Sequence, residues 1–279
     1  MLPRLILVEL NKRRNAILGW GIGLSAYAML IMAITPALAD QFANLDLSSI
    51  PVYEAFGITD NIGSTSSLLA VYLPMFGLML AVYGAITGTN ALAGEEDKGT
   101  LEMQLSLPIK RHTLVLAKAI AILLTLFIIS MFTFLGYAVF FPSVSPSLGS
   151  ALTLADFFTA AWEMIPIAFV FAMLGLCLGT FMPNRSLALG ATIFLLIASY
   201  LINNMAGSVE ILQKVQKLTP FYYYNGAAIF DGKGFDVRRV ITLIVVALSD
   251  LGFAIYFFQQ RNVTVGQWPW QRKQTPLTE

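Results

Sequence analysis

Charge is what this sequence is shortest of. Only 12% of its 279 residues are Asp, Glu, Lys or Arg, against 57% apolar residues. A soluble domain carries about 25% charged residues, and a chain of this length folded in water still needs a polar surface. A water-soluble globule is therefore excluded. Cysteine occurs once, as Cys177 inside an apolar run, so neither an intrachain disulfide nor a Cys-rich metal site can be built. Histidine also occurs once, as His112, which excludes the common multi-histidine metal centres. No Gly-x-x-x-x-Gly-Lys-[Ser/Thr] is present, so the chain lacks the loop that cradles nucleotide phosphates. His-Glu-x-x-His and Gly-x-Ser-x-Gly are missing too, which argues against a zinc protease and a serine hydrolase. His112 follows Lys110 and Arg111 at the start of an apolar run and reads as a solvated helix-start residue. No catalytic residue and no metal ligand is assigned. The net charge of +1 gives no reason to expect a nucleic-acid partner.

What the chain has in abundance is long apolar stretches. About 20 residues of helix cross ~30 Å of hydrocarbon. Six stretches qualify: 16–38, 67–93, 113–141, 160–182, 186–206 and 239–258. They are continuous rather than alternating, so they predict helices and not barrel strands. The fourth and fifth are joined by Pro183-Asn184-Arg185, enough for a tight hairpin. The fold class is an all-α integral membrane protein with six transmembrane helices.

Lys and Arg set the orientation. With the N-terminus inside, 12 of them face the cytosol and five face outward. This predicts both termini in, in the cell membrane. Lys12-Arg13-Arg14, an apolar run and Ala37-Leu38-Ala39 resemble a cleavable signal. The apolar run is longer than the 7–15-residue core of such signals, so the first span is expected to be retained. The expected organisation is residues 1–15 as an N-terminal interfacial helix, 16–262 as the membrane domain and 263–279 as a cytosolic tail.

Residues 94–112 form a charged loop between the second and third spans. Gly99 or Thr100 can start a short helix there, and Pro108 stops it. Leu101 and Leu105 make its apolar side; Glu102 and Gln104 are polar. Such a helix either lies on lipid or enters a groove on a cytosolic protein. Lipid-surface helices carry Lys and Arg on the polar side. This one is led by Glu95, Glu96 and Asp97, which favours the protein.

Gly94-Glu95-Glu96-x-x-Gly99-Thr100-Leu101-Glu102, followed by Ser106-x-Pro108-x-x-Arg111, resembles the cytosolic loop of ABC-2 type transporter permeases, the membrane subunits of ATP-binding-cassette exporters. Val8-Glu9-Leu10-Asn11-Lys12-Arg13-Arg14 before the first span is similar to that family's opening. So is Leu218-Thr219-Pro220-Phe221-Tyr222-Tyr223-Tyr224 before the last span. Phe257-Phe258-Gln259-Gln260-Arg261-Asn262 resembles its final helix exit, with Asn262 where Asp is usual. The resemblance implies a coupling helix in the loop, with Glu95, Glu96, Gly99, Thr100, Leu101, Glu102, Pro108 and Arg111 engaging a cytosolic ABC ATPase. It implies a second permease subunit, identical or not, and two ATPase copies. ATP and Mg would be bound by the ATPase, with no cofactor in this chain. It implies that the N-terminal segment lies along the membrane as a connecting helix.

Several residues inside the spans invite a role. Asp250 lies mid-way along the last span. A charge at that depth costs at least ~2.5 kcal/mol, so Asp250 is expected to hydrogen-bond Ser130, Thr133, Tyr200 or Asn203. The alternative is a substrate or gating carboxylate. Glu163 is expected to be solvated near the outer end, and Lys118 to snorkel to the cytosol. Gly84-x-x-x-Gly88 and Gly175-x-x-x-Gly179 allow close helix approach, expected within the subunit rather than at a dimer seam. The outer segment 207–238 carries Ile211, Leu212, Val215 and Leu218 at helical spacing, then the aromatic run 221–224. It reads as an interfacial or re-entrant segment. The expected function is ATP-driven export. The alternatives are an ATP-independent carrier using Asp250 and a scaffold that transports nothing.

Overall fold

The computed structural model describes residues 2–42, 64–106, 108–148, 152–207, 209–224, 226, 229–230 and 234–260. Among these, all regular structure is helical. Six helices are long and apolar enough to cross a membrane: α1 (Leu2–Phe42), α2 (Thr65–Asp97), α4 (Arg111–Leu148), α5 (Leu154–Phe181), α6 (Arg185–Met205) and α9 (Val237–Gln260). Between them lie the short α3 (Thr100–Leu105), α7 (Glu210–Val215) and α8 (Pro220–Tyr223). The six spans expected from the apolar runs are all present. The tail at 263–279 and most of the 40–60 connection fall outside the described residues.

The helices outrun the apolar stretches that signalled them. α1 has 41 residues, about 60 Å of helix, twice the hydrocarbon thickness. Residues 2–15 of the N-terminal segment expected over 1–15 are helical and continue into the rest of α1 without a break. No Gly or Pro lies between Arg4 and Leu18 to interrupt the backbone. Starts are fixed by local chemistry. Asn184 Oδ1 accepts the Leu187 amide at 2.8 Å before α6, and Ser64 Oγ accepts the Ser67 amide at 3.1 Å before α2. Both are side-chain caps on otherwise orphaned donors.

In lipid the hydrophobic effect between helices is absent, so close backbone approach and internal hydrogen bonds must hold the bundle. The structure uses both. A Cβ on Gly84 or Gly88 of α2 would collide with the carbonyl oxygen of Ala168 or Ala172 of α5, and one on Gly175 would sit 2.8 Å from the Ala85 oxygen. Both small-residue pairs thus pack within the subunit, as expected. On the other side, Gly136 of α4 lets the Ser25 carbonyl of α1 approach. Buried hydroxyls are satisfied by carbonyls: Thr125 donates to Ala121 O at 2.8 Å, and Ser130 of α4 donates to Ala161 O of α5 at 2.5 Å.

The result is two tightly packed units. α1 lies along α4, and α2 lies along α5, which also carries α9; the units meet mainly through α4 and α5, and the seam between α1 and α2 is thin. In that seam, Gly19, Trp20, Gly23, Leu24 and Tyr27 of α1 and Met79 of α2 line an open groove of about 420 Å³. α6 is peripheral, with Leu187, Phe194, Ile197 and Leu201 exposed.

One end of the bundle is aromatic. Tyr27, Phe76, Tyr137, Phe157 and Phe230 form a continuous run of ring contacts across α1, α2, α4 and α5. After α6 the chain makes the exposed α7 and then turns back in. Phe221 of α8 is buried against Phe171, near the middle of α5, and against Tyr200 of α6. Glu163 was expected to be solvated; it is buried instead, 7% exposed. Tyr223, Tyr224, Asp236 and Arg239 close over it, around a cavity of about 20 Å³.

Candidate functional site

The opposite end carries α3. α2 runs on to Asp97, and Gly99 takes the left-handed conformation (φ 68°) that reverses the chain. Such a φ suits a residue without Cβ. Thr100 Oγ1 donates to Glu95 O at 3.1 Å, tying the start of α3 to the end of α2. Leu101 is 1% exposed and belongs to the core of the bundle. Its burial fixes which way α3 faces. Asp97, Lys98, Gly99, Thr100, Glu102, Ser106 and Pro108 are exposed, and Met103 stands out at 73% exposure.

Beneath α3 lies a cluster of ion pairs. Lys118 of α4 is 0% exposed, and its Nζ donates to Glu95 Oε2 at 2.5 Å and to Glu9 Oε1 at 3.3 Å. Lys12 Nζ contacts the same two carboxylates, at 3.0 Å and 2.8 Å. Arg13 reaches Glu9 at 3.4 Å, and Gln104 of α3 donates to Glu95 Oε2 at 2.8 Å. Two carboxylates from α1 and α2 thus share two ammonium groups from α1 and α4. Lys118 was expected to snorkel out of the bundle; it stays in because Glu9 and Glu95 come to it.

Burial alone would push the Glu9 carboxyl up, but Lys118, Lys12 and Arg13 outweigh it and hold the group below its ordinary value. Burial would likewise lower the Lys12 ammonium; its bonds to Glu9 and Glu95 prevail and raise it.

Two further cations at this end, Arg111 and Arg185, also point inward. The Arg111 guanidinium donates to the carbonyls of Phe258 at 3.1 Å and Gln259 at 3.4 Å. It thereby caps the C-terminus of α9, where a positive charge is favoured, and lies 5.8 Å over the Phe258 ring. Arg185 Nε donates to Asn90 Oδ1 at 2.5 Å, fastening the α5–α6 turn to α2.

The eight loop residues singled out from the sequence therefore divide. Gly99, Thr100, Glu102 and Pro108 lie on the exposed side; Glu95, Leu101 and Arg111 are turned into the chain; Glu96 is half-buried. Glu9 and Lys118 were not singled out as a pair. The signal was there: Glu9 is the only acid before the first span, and Lys118 shares a helical face with Leu114, Ile122 and Thr125, all buried.

Asp250 is half-buried on α9 and lies within electrostatic reach of Cys177 on α5. The hydrogen bonds expected for it are absent: among the described residues Asp250 makes none. Ser130 and Thr133 donate to Ala161 O and Ile129 O instead, and Tyr200 packs on Phe221.

Compared with known families, residues 5–263 match the model described as ABC-2 family transporter protein. No curated protein matches the chain.

Proposed function

Because the chain belongs to the ABC-2 transporter family, and is thus a multi-pass membrane subunit of an ABC transporter, we propose that it exports its substrate by alternating access driven by a separate cytosolic ATPase. The observation that carries this reading is α3, a short helix anchored by Leu101 and by the ion pairs below it. It offers Glu102 and Met103 outward at the one end of the bundle rich in bound cations. Helix-in-groove docking needs such a small, rigid, amphipathic element. In this reading the α3 end and both termini are cytosolic, as the 12-to-5 distribution of Lys and Arg requires. Two copies of the ATPase, with its ATP and Mg, serve a dimer of permease subunits. Asp97, Lys98, Gly99, Thr100, Glu102, Met103 and Pro108 form the docking face; Glu95, Leu101 and Arg111 support it from within. The aromatic end faces outward, with Phe221 and Tyr224 as a re-entrant wedge that closes the exit.

The test is purification of the tagged chain from its native membrane in mild detergent. A P-loop ATPase should co-purify in equal amount, and substitution of Met103 by Glu should release it. Recovery of the chain with no ATPase under conditions that keep it dimeric would refute the reading.

One observation favours a second reading. Asp250 is an intramembrane carboxyl with no hydrogen bond among the described residues, as expected of an ion- or proton-binding group in a carrier. Transport that persists without ATP and collapses when the proton gradient is dissipated would favour that reading.

A further inference from the structure

The ion-pair cluster sits where the two packed units of the bundle meet. α1 and α4 form one unit, joined at Gly136 and Ser25; α2 and α5 form the other, joined at Gly84, Gly88 and Gly175. Glu9 and Lys118 belong to the first, Glu95 to the second. Along the membrane the seam between α1 and α2 holds the 420 Å³ groove, crossed by the ring contacts Trp20–Tyr83 and Tyr27–Phe76. At the α3 end it is closed by the bonds of Lys118 and Lys12 to Glu95.

We propose that Glu9, Lys12, Glu95 and Lys118 form a latch across this seam, with Lys118 as its positioning residue, and that displacement of α3 opens it. This rests on the reading of α3 as the ATPase contact.

Three physical points support the latch. Glu95 is one residue pair from the end of α2 and is gripped by Gln104 of α3, so a pull on α3 acts directly on its carboxylate. The 0% exposed Lys118 ammonium has no access to solvent, and losing Glu95 leaves it with Glu9 alone. A buried charge network of this kind adds little net stability but has discrete made and broken states. Apolar close packing would instead deform gradually or not at all. Finally, α2 touches α1 and α4 far less than α1 touches α4 or α2 touches α5; the two units stay joined at the α4–α5 face, through the Tyr137 and Phe157 rings and the Ser130 bond to Ala161. Breaking the charge-assisted bonds therefore frees the α1–α2 seam at the α3 end, with the α4–α5 face as its hinge.

The experiment uses the full chain in lipid nanodiscs, with Cys177 replaced and spin labels on exposed positions 7 of α1 and 181 of α5, one in each unit. Double electron–electron resonance reads the distance between them. The wild-type chain should give one short-distance population, with any open form at or below roughly 10%. Lys118→Met should move more than about half of the molecules to a longer distance, whereas Lys118→Arg should keep the closed distribution. Glu95→Lys alone should open the latch; adding Lys118→Glu should close it again, a rescue that a merely structural lysine would not give. Unchanged distances in Lys118→Met, or failure of the charge reversal to rescue a folded protein, would overturn the proposal. The co-purified complex with its ATPase, trapped with ATP and vanadate, should show the long distance in the wild type. A latch that opens by mutation while trapping leaves the short distance would overturn the coupling to α3. A latch that opens by mutation in a chain that binds no ATPase would leave the latch standing and defeat only the transporter reading.

Discussion

The two ends of this bundle are held by different physics. At the α3 end, long polar side chains from α1, α2, α3 and α4 converge on two carboxylates. At the other end, rings from α1, α2, α4, α5 and α8 pack in edge-to-face and tilted contacts. Ion pairs are directional and can be traded one for another; ring packing is close to all-or-none. In the function proposed above, the polar end takes the moving input and the aromatic end the seal. Each end also departs from its own rule once. The polar end is anchored by an apolar residue, Leu101, and the aromatic end buries an acid, Glu163, whose Oε2 has no hydrogen-bond partner among the described residues.

The largest effect should come from unbalancing the polar end. Glu9→Ala leaves Lys118 with one carboxylate and Arg13 with none, and removal of one partner from a buried pair costs about 3–5 kcal/mol. Hydrogen-exchange mass spectrometry should show the loss in residues 2–15 and 95–106 and leave 218–224 protected. A uniform loss across both ends would erase the distinction drawn here.

Phe221→Ala is the complementary change. It removes a ring that touches Phe171, Tyr200 and Tyr224, and should cost about 3 kcal/mol. Exchange should now rise at 216–224 and in the outer half of α5 alone. Unaltered protection there would mean that Phe221 is no wedge.

A smaller effect, on binding and not on folding, is expected at Met103. Met103→Glu should weaken ATPase binding by about 2 kcal/mol, the scale of an interface anchor, with thermal stability unchanged. A drop in melting temperature would instead place Met103 in the fold.

The smallest effect is that of pH. Glu9 is held below its ordinary value, so its contribution is complete above the unfolded Glu pKa, about 4.3, and fades as pH falls through the lower folded value. Lys12 is held above its ordinary value; its contribution is complete below about 10.4 and fades as pH rises through the higher folded value. Protection of residues 2–15 should therefore be flat between those limits. A transition near neutral pH would contradict this assignment of charges.

The spans were legible because an apolar run of ~20 residues has only one use in a chain this poor in charge. Their ends were not, because a helix continues until the backbone is interrupted and not until polarity changes; α1 and α4 both run past their apolar stretches. The loop was legible as a helix from Gly99, Leu101 and Pro108. Its facing was not. Glu95 reads as outward on charge alone, and only the arrival of Lys118 and Glu9 from distant positions turns it inward. Glu163 is misplaced for the same reason, since Tyr223, Tyr224, Asp236 and Arg239 close over it. Asp250 was legible as unusual, but the hydroxyls expected to satisfy it bond carbonyls of α4 and α5.

The central claim, that α3 is the seat of a cytosolic ATPase, is tested most directly by site-specific crosslinking in intact cells. Met103→Cys, made in a chain with Cys177 replaced, is treated with a membrane-permeant bifunctional maleimide and compared with Ile211→Cys on α7. The account predicts a crosslinked adduct between position 103 and a P-loop ATPase, with none from position 211. Labelling of position 103 by a membrane-impermeant maleimide added outside the cell, with no ATPase adduct, would contradict it.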